Sequence, residues 1–292
     1  MKITGSEELV DHLISNGVTP DEMPIKSESS SSPGVKSTSV NIFADMGHEF
    51  IESPSSDPLA YFQNQNYKQI GDDYKLDTLN KLIGQPRFLR IDHIGMPQFQ
   101  NQMTPTTEKY YKLLGFHHFW SVDENVIFSK YSTLKSTVIS DFSERVKFPI
   151  FEPKLLKKKS QIQEFLEYNG GPGVQHIAIV VDDIIAVVEN LRKRGVKFLK
   201  NPASYYDIVE QKLKEHDFSL NEDLSRIRSN DILIDYDKEG YLLQIFTAPI
   251  LDRPTLFFEF IQRNNNQGFG EGNFQRLFEA IEAEQLKRGN LI

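Results

Sequence analysis

His93 and His176 sit in matching surroundings. IDHIGM around the first and VQHIAI around the second each place a histidine before an apolar pair inside a β-type run. His93 precedes Phe116 by 23 residues and His176 precedes Phe198 by 22, and helical patterns within TEKYYKLLGF and DDIIAVVENLRKRGVKF fill those intervals. The chain therefore reads as two homologous strand-helix modules. Strands send alternate side chains to opposite faces, so Ile91, His93 and Gly95 are expected on one face, and Val174, His176 and Ala178 together on one face of the second strand. Paired modules would let the two imidazoles converge in one pocket.

A third donor is then needed, and Glu259 is the candidate. It is the lone carboxylate in the apolar run TLFFEFI, where burial would cost several kcal/mol unless something compensates the charge. A divalent cation would do so. Two histidines and one carboxylate with open positions form the facial triad used for non-haem Fe(II) oxygen chemistry. Each residue also has an ordinary reading: a strand histidine can be a satisfied core or edge residue, and Glu259 can pair with Arg253 or Arg263. Spacing alone leaves both open.

Composition narrows the chemistry. The 292 residues contain no cysteine, which excludes disulfides, thiolate nucleophiles, zinc-thiolate sites and iron-sulfur clusters. With 33 Lys+Arg against 41 Asp+Glu the formal charge is -8, so a polyanionic nucleic acid is repelled rather than attracted. The first residues, MKITGSEELVDHLISNGV, lack the basic start and apolar core of a signal peptide, and no run approaches the length of a membrane span. The expectation is a cytoplasmic protein with no membrane partner.

The elements that must position these residues begin near Phe88. Residues 1–87 are expected to form a separate region holding a few short elements. Within it KSESSSSPGVKSTS (26–39) should be exposed and irregular, because its apolar content cannot offset the entropy of ordering, and QNQNYKQ (63–69) is equally polar. Residues 88–292 form the expected catalytic, metal-binding domain. After FLRIDHIGM and the helix of TEKYYKLLGF come strands in FHHFWSV, NVIFSKY and STVISDF. The second module continues with DILIDY and YLLQIFT around a Lys238-Glu239-Gly240 turn, then TLFFEFIQ, and a closing helix in GNFQRLFEAIEAEQLKRG. The class is α+β.

GGPGVQHIAI (170–179), GYLLQIFTAPILDRPTLFFEFIQR (240–263) and GFGEGNFQRLFEAIEAEQLKRGNL (268–291) closely resemble the C-terminal region of 4-hydroxyphenylpyruvate dioxygenases. RIDHIGM, GFHHFWSVD, LKSTVIS and KKKSQIQEFLEYNGG extend the resemblance, in order, over residues 88 to 291. It implies a vicinal-oxygen-chelate-type fold, paired βαβββ modules forming a curved, partly open β-barrel with helices outside and the metal inside. It also implies Fe(II) held by His93, His176 and Glu259. The implied catalytic side chains are Gln161, Gln175, Gln244 and Asn273, and the substrate pocket would take Ser136, Phe151, Phe246, Phe257, Phe269 and Phe274. The implied reaction converts 4-hydroxyphenylpyruvate and O2 to homogentisate and CO2, a step of tyrosine breakdown. The partners are then an aromatic 2-oxo acid and O2, with a homodimer left open.

The chain departs from the family's pattern in two places. The family commonly reads P-I-N-E-P where this chain has Pro149-Ile150-Phe151-Glu152-Pro153, so a pocket amide has become an apolar ring. A related 2-oxo-acid oxygenase, such as a hydroxymandelate synthase, is therefore the alternative. The family's N-terminal domain normally carries its own module pair, and DHLISNG (11–17) and MGHEFIES (46–53) resemble only fragments of it. A non-catalytic, truncated paralogue is the third reading.

Overall fold

A computed structural model describes residues 5–19, 36–52, 74–121, 133–154 and 158–290. The chain forms two compact units, one of Met1–Leu82 with Thr104–His117 and one of Ile83–Met103 with His118–Ile292. In the first, helix α1 (Ser6–Ser15) precedes an antiparallel hairpin of β1 (Lys36–Phe43) and β2 (Met46–Glu52), and helices α2 (Tyr74–Ile83) and α3 (Met103–Leu114) follow. Leu9 and Leu13 of α1 are buried, as are Val40 and Ile42 of β1. Tyr110 of α3 is fully buried, with its hydroxyl 2.7 Å from His48 Nε2.

One expectation fails in this unit. Residues 36–39 of the Ser-rich stretch belong to β1, and Ser37 and Thr38 are buried. Pairing of Ser37 with Ile51 and Thr38 with Phe50 satisfies the backbone, so the ladder supplies what apolar content lacks. Residues 26–35, QNQNYKQ and NVIFSKY lie outside the described residues.

The second unit contains β3 (Arg90–Pro97), β4 (His117–Ser121), β5 (Thr133–Ser140), β6 (Lys147–Lys154), helix α4 (Gln161–Asn169) and β7 (His176–Val180). After β7 come helices α5 (Ile184–Lys193), α6 (Ala203–Glu215) and α7 (Leu224–Ser229), then β8 (Leu233–Tyr236), β9 (Tyr241–Phe246), β10 (Phe257–Asn264) and helix α8 (Glu271–Lys287). The eight strands form one mixed sheet in the order β4-β5-β6-β3-β7-β10-β9-β8, curled into a half-barrel. Counted outward from the β3–β7 seam, each module runs first, fourth, third, second strand, and the seam itself is antiparallel. The two modules are thus related as the internal repeat requires.

Strand register assigns the faces. His176, Ala178 and Val180 of β7 pair with Phe257, Glu259 and Ile261 of β10, and Glu259 and Ile261 pair with Phe246 and Gln244 of β9. Across the seam His93 faces Ala178 and Gly95 faces His176. On the other wing Pro97 pairs with Phe151, and Phe151 with Ser136. One concave face therefore collects all of these side chains. The opposite face, carrying Leu243, Ile245 and Phe260, is covered by α5, whose Ile184, Val187, Val188 and Leu191 recur at helical spacing, and by Tyr205, Tyr206 and Val209 of α6. Helices α4 and α8 instead lie over the concave side, where Phe165, Leu166 and Phe278 pack with Leu134 and Phe151.

Strict alternation breaks in β3. Ile91 pairs with Ile179 but His93 pairs with the adjacent Ala178, so Asp92 is an extra residue in a β-bulge. Ile91 and His93 consequently point to opposite faces, contrary to the expectation: Ile91 is 55% exposed and His93 4%. No described helix is long and apolar enough to cross a membrane.

The turn between β8 and β9 shows why its last residue is glycine. Asp237 Oδ1 accepts hydrogen bonds from the amides of Glu239 (2.7 Å) and Gly240 (2.9 Å), and a Cβ on Gly240 would lie 2.0 Å from the backbone oxygen of Asn264 in β10. Gly240→Ala should lower unfolding stability in urea by about 1–3 kcal/mol through this overpacking. Lys238→Ala in the same turn should change it by no more than about 0.5 kcal/mol.

Candidate metal centre

Register brings the three donors together from β3, β7 and β10. Ligand atoms of His93, His176 and Glu259 all lie within 4.8 Å of one another. The imidazoles of His93 and His176 are 5.5 Å apart at 88°, and His93 Nε2 is 3.2 Å from Glu259 Oε2. Ala178, opposite both His93 and Glu259, is small enough to leave the space between them open.

The two histidines are held by different forces. His93 Nδ1 lies 2.9 Å from Asp92 Oδ1, and the bulge makes that contact between neighbours geometrically available. Arg263 donates to both oxygens of the same carboxylate, at 2.9 and 2.8 Å. His176 has only Gln175 Oε1, at 3.3 Å, beside its Nδ1, and is instead stacked between Phe257 (5.3 Å, 18°) and Phe151 (6.0 Å, 16°). Its ring crosses β3 at Gly95, where a Cβ would meet His176 Cε1 at 2.1 Å. Glu259 Oε1 accepts from Gln244 Nε2 (3.1 Å), Gln244 Oε1 from Asn273 (3.0 Å), and Asn273 Oδ1 from the Tyr205 hydroxyl (3.0 Å). That chain fixes the orientation of each amide.

Electrostatics follow from this arrangement. Burial alone would lower the His93 imidazole, but the Glu259 and Asp92 carboxylates outweigh it and raise its pKa to about 9. Burial, and then the His93 charge, push His176 well below the ordinary imidazole value. Burial would raise Asp92, yet hydrogen bonds from His93 and Arg263 and their charges hold it well below the usual carboxylate range. Neither arginine weighed as a partner for Glu259 reaches it: Arg263 binds Asp92, and Arg253 donates to the Tyr168 carbonyl. The buried carboxylate thus faces two imidazoles, one raised and one lowered from the ordinary value. Two imidazoles and a carboxylate form a donor set that a divalent cation fits.

Around this centre Ser136, Phe151, Gln161, Gln175, Gln244, Phe246, Phe269 and Phe274 line one cavity together with the three donors. Two of the expected residues act from behind the wall. Phe257 backs His176, and Asn273 holds Gln244. Sequence reasoning missed Trp120, Leu134, Val138, Pro149, Leu277 and Phe278, which also line the cavity. Period-two spacing from Ser136 and Phe151 would have found Leu134, Val138 and Pro149, and helical spacing from Phe274 would have found Leu277 and Phe278. Trp120 gave no such signal.

Residues 90–245 match the Glyoxalase/Bleomycin resistance protein/Dioxygenase superfamily. A 4-hydroxyphenylpyruvate dioxygenase of Dictyostelium discoideum is 44% identical over 254 residues, 87% of this chain and 68% of that protein. The chain belongs to the 4-hydroxyphenylpyruvate dioxygenase family. Its Tetrahymena thermophila member is 51% identical over 216 residues, 74% of this chain but 54% of that protein, so the chain spans about half the length of that curated relative. Among solved structures, a triple mutant of 4-hydroxymandelate synthase from Streptomyces coelicolor matches with a TM-score of 0.72 and 26% identity, covering 96% of this chain and 74% of that one.

The tight passage at Gly95 makes it a sharp probe of the centre. Gly95→Ala should turn the His176 ring out of place and weaken divalent-metal binding at least about tenfold, the scale seen when ligand orientation is lost. Anaerobic titration calorimetry reads the affinity, and circular dichroism verifies that the fold persists.

Proposed function

We propose that the chain is a non-haem iron dioxygenase converting 4-hydroxyphenylpyruvate and O2 to homogentisate and CO2, with its catalytic part in residues 88–292. The observation that carries this reading is the convergence of His93, His176 and Glu259 at the floor of an aromatic cavity, in a chain of this family. On this reading the three residues hold Fe(II), which supplies adjacent coordination sites for a 2-oxo acid and dioxygen. The remaining work belongs to the chain's own side chains. Gln244, locked by Asn273, keeps the Glu259 carboxylate aimed at the centre. Gln161 and Gln175, joined by a 2.9 Å hydrogen bond, and Ser136 offer the polar contacts of the cavity wall. Phe246, Phe269 and Phe274 flank the aromatic ring, and α8 keeps water out through Leu277 and Phe278. A cytoplasmic enzyme acting on a soluble aromatic acid is the setting this reading supposes.

Oxygen uptake by the Fe(II)-loaded protein with 4-hydroxyphenylpyruvate, combined with chromatography of the products, tests the reading. Homogentisate should form at one molecule per O2 consumed, and Glu259→Ala should reduce uptake to background. Uptake that is unchanged in Glu259→Ala would sink it.

Phe151 favours a second reading, a related oxygenase that makes a hydroxymandelate-type product. Its ring faces Ser136 across the β5–β6 ladder and stacks on His176, where the family commonly has an amide. Phe151→Asn should therefore change turnover of 4-hydroxyphenylpyruvate, or the product ratio, by on the order of tenfold, the worth of one good hydrogen bond at about 1.4 kcal/mol. Identical rates and products in the two proteins would reduce Phe151 to packing.

A further inference from the structure

Arg263 lies four residues beyond Glu259 on β10, on the same concave face, yet it touches no metal donor. Its guanidinium spends Nε and Nη2 on the two oxygens of Asp92, the residue that orients His93. Nη1 donates in the other direction, to the backbone oxygens of Asn266 (3.0 Å) and Gly268 (2.7 Å) in the loop between β10 and α8. That loop carries Phe269, whose ring lies 5.2 Å from His93 and 5.7 Å from Trp120, and 5.8 Å from the guanidinium carbon of Arg263. Asn266 closes the loop from its far side, donating to Asp237 Oδ2 (2.7 Å) and accepting from the Gly268 amide (2.8 Å).

We propose that Arg263 is a positioning residue that couples the orientation of His93 to the closed arrangement of the 265–270 loop, so that the metal centre and its aromatic roof assemble as one unit. A planar fork can serve a carboxylate and two carbonyls at once. A lysine ammonium in its place cannot reach all of them. If the loop stabilises the metal-ready His93, linkage requires that metal stabilise the loop by the same factor. The inference rests on the metal-site reading above.

Zinc, which is redox-inert, is the probe, and two signals other than activity follow it. Trp120 is the chain's only tryptophan and stacks on Phe269 at 29°, so its fluorescence reports the roof, and amide hydrogen exchange reports residues 266–270. In the wild-type protein zinc should slow exchange across the loop and shift the Trp120 emission. Arg263→Lys should weaken zinc binding at least about tenfold and lose both responses. Asn266→Ala, which loosens the loop without touching Asp92 or a donor, should weaken zinc binding severalfold. It carries the test if Arg263→Lys fails to fold. Wild-type zinc affinity in either folded variant, or a wild-type loop indifferent to zinc, overturns the coupling alone. A wild-type protein that binds no zinc removes the metal-site reading and the coupling with it.

Discussion

The antiparallel seam between β3 and β7 is the constraint from which the site follows. In that pairing residue 95 stands opposite His176, and the imidazole takes the space a Cβ would need, so only glycine lets the seam close with that ring in place. Once closed, it sets His93 against Ala178, and the parallel pairing of β7 with β10 sets Glu259 against the same alanine. Three donors then surround one small residue. A larger side chain at 178 would occupy the volume that the donors define.

The two histidines reach equivalent places in the repeat by unequal means. His93 sits in a web of charge, with Asp92 behind it and Glu259 before it. His176 sits in a sandwich of rings and carries no strong hydrogen bond. This division explains why the carboxylates raise one imidazole above its ordinary value while burial and the first imidazole lower the other. It also gives the centre one rigid donor, backed by Asp92 and Arg263, and one whose plane is set by packing.

Much of this was legible in the chain itself. The repeated His contexts, the nearly equal distances of 23 and 22 residues from each His to a following Phe, and the isolated Glu259 point to the paired modules and to three candidate donors, because strand and helix periods act locally. The face of Ile91 was not legible, since a bulge is decided by what the partner strand tolerates and leaves no mark in period-two alternation. Nor was the pairing of Arg263 with Asp92, 171 positions apart. The strand at Lys36–Ser39 was hidden because Ser and Thr are ambiguous until a neighbouring strand satisfies their backbone.

Residues on the concave face of β7, β9 and β10 are chosen by parity: 176, 178 and 180, 244 and 246, 257, 259 and 261. Side-chain parity has a consequence for how such a chain can change over generations. Substitutions alter one lining position at a time, but inserting or deleting a single residue inside one of these strands would turn its whole lining outward and bring the helix-facing apolar residues in. Length variation is therefore tolerable only in the connections, such as the α6–α7 link and the β9–β10 turn. The strands themselves are confined to a fixed count.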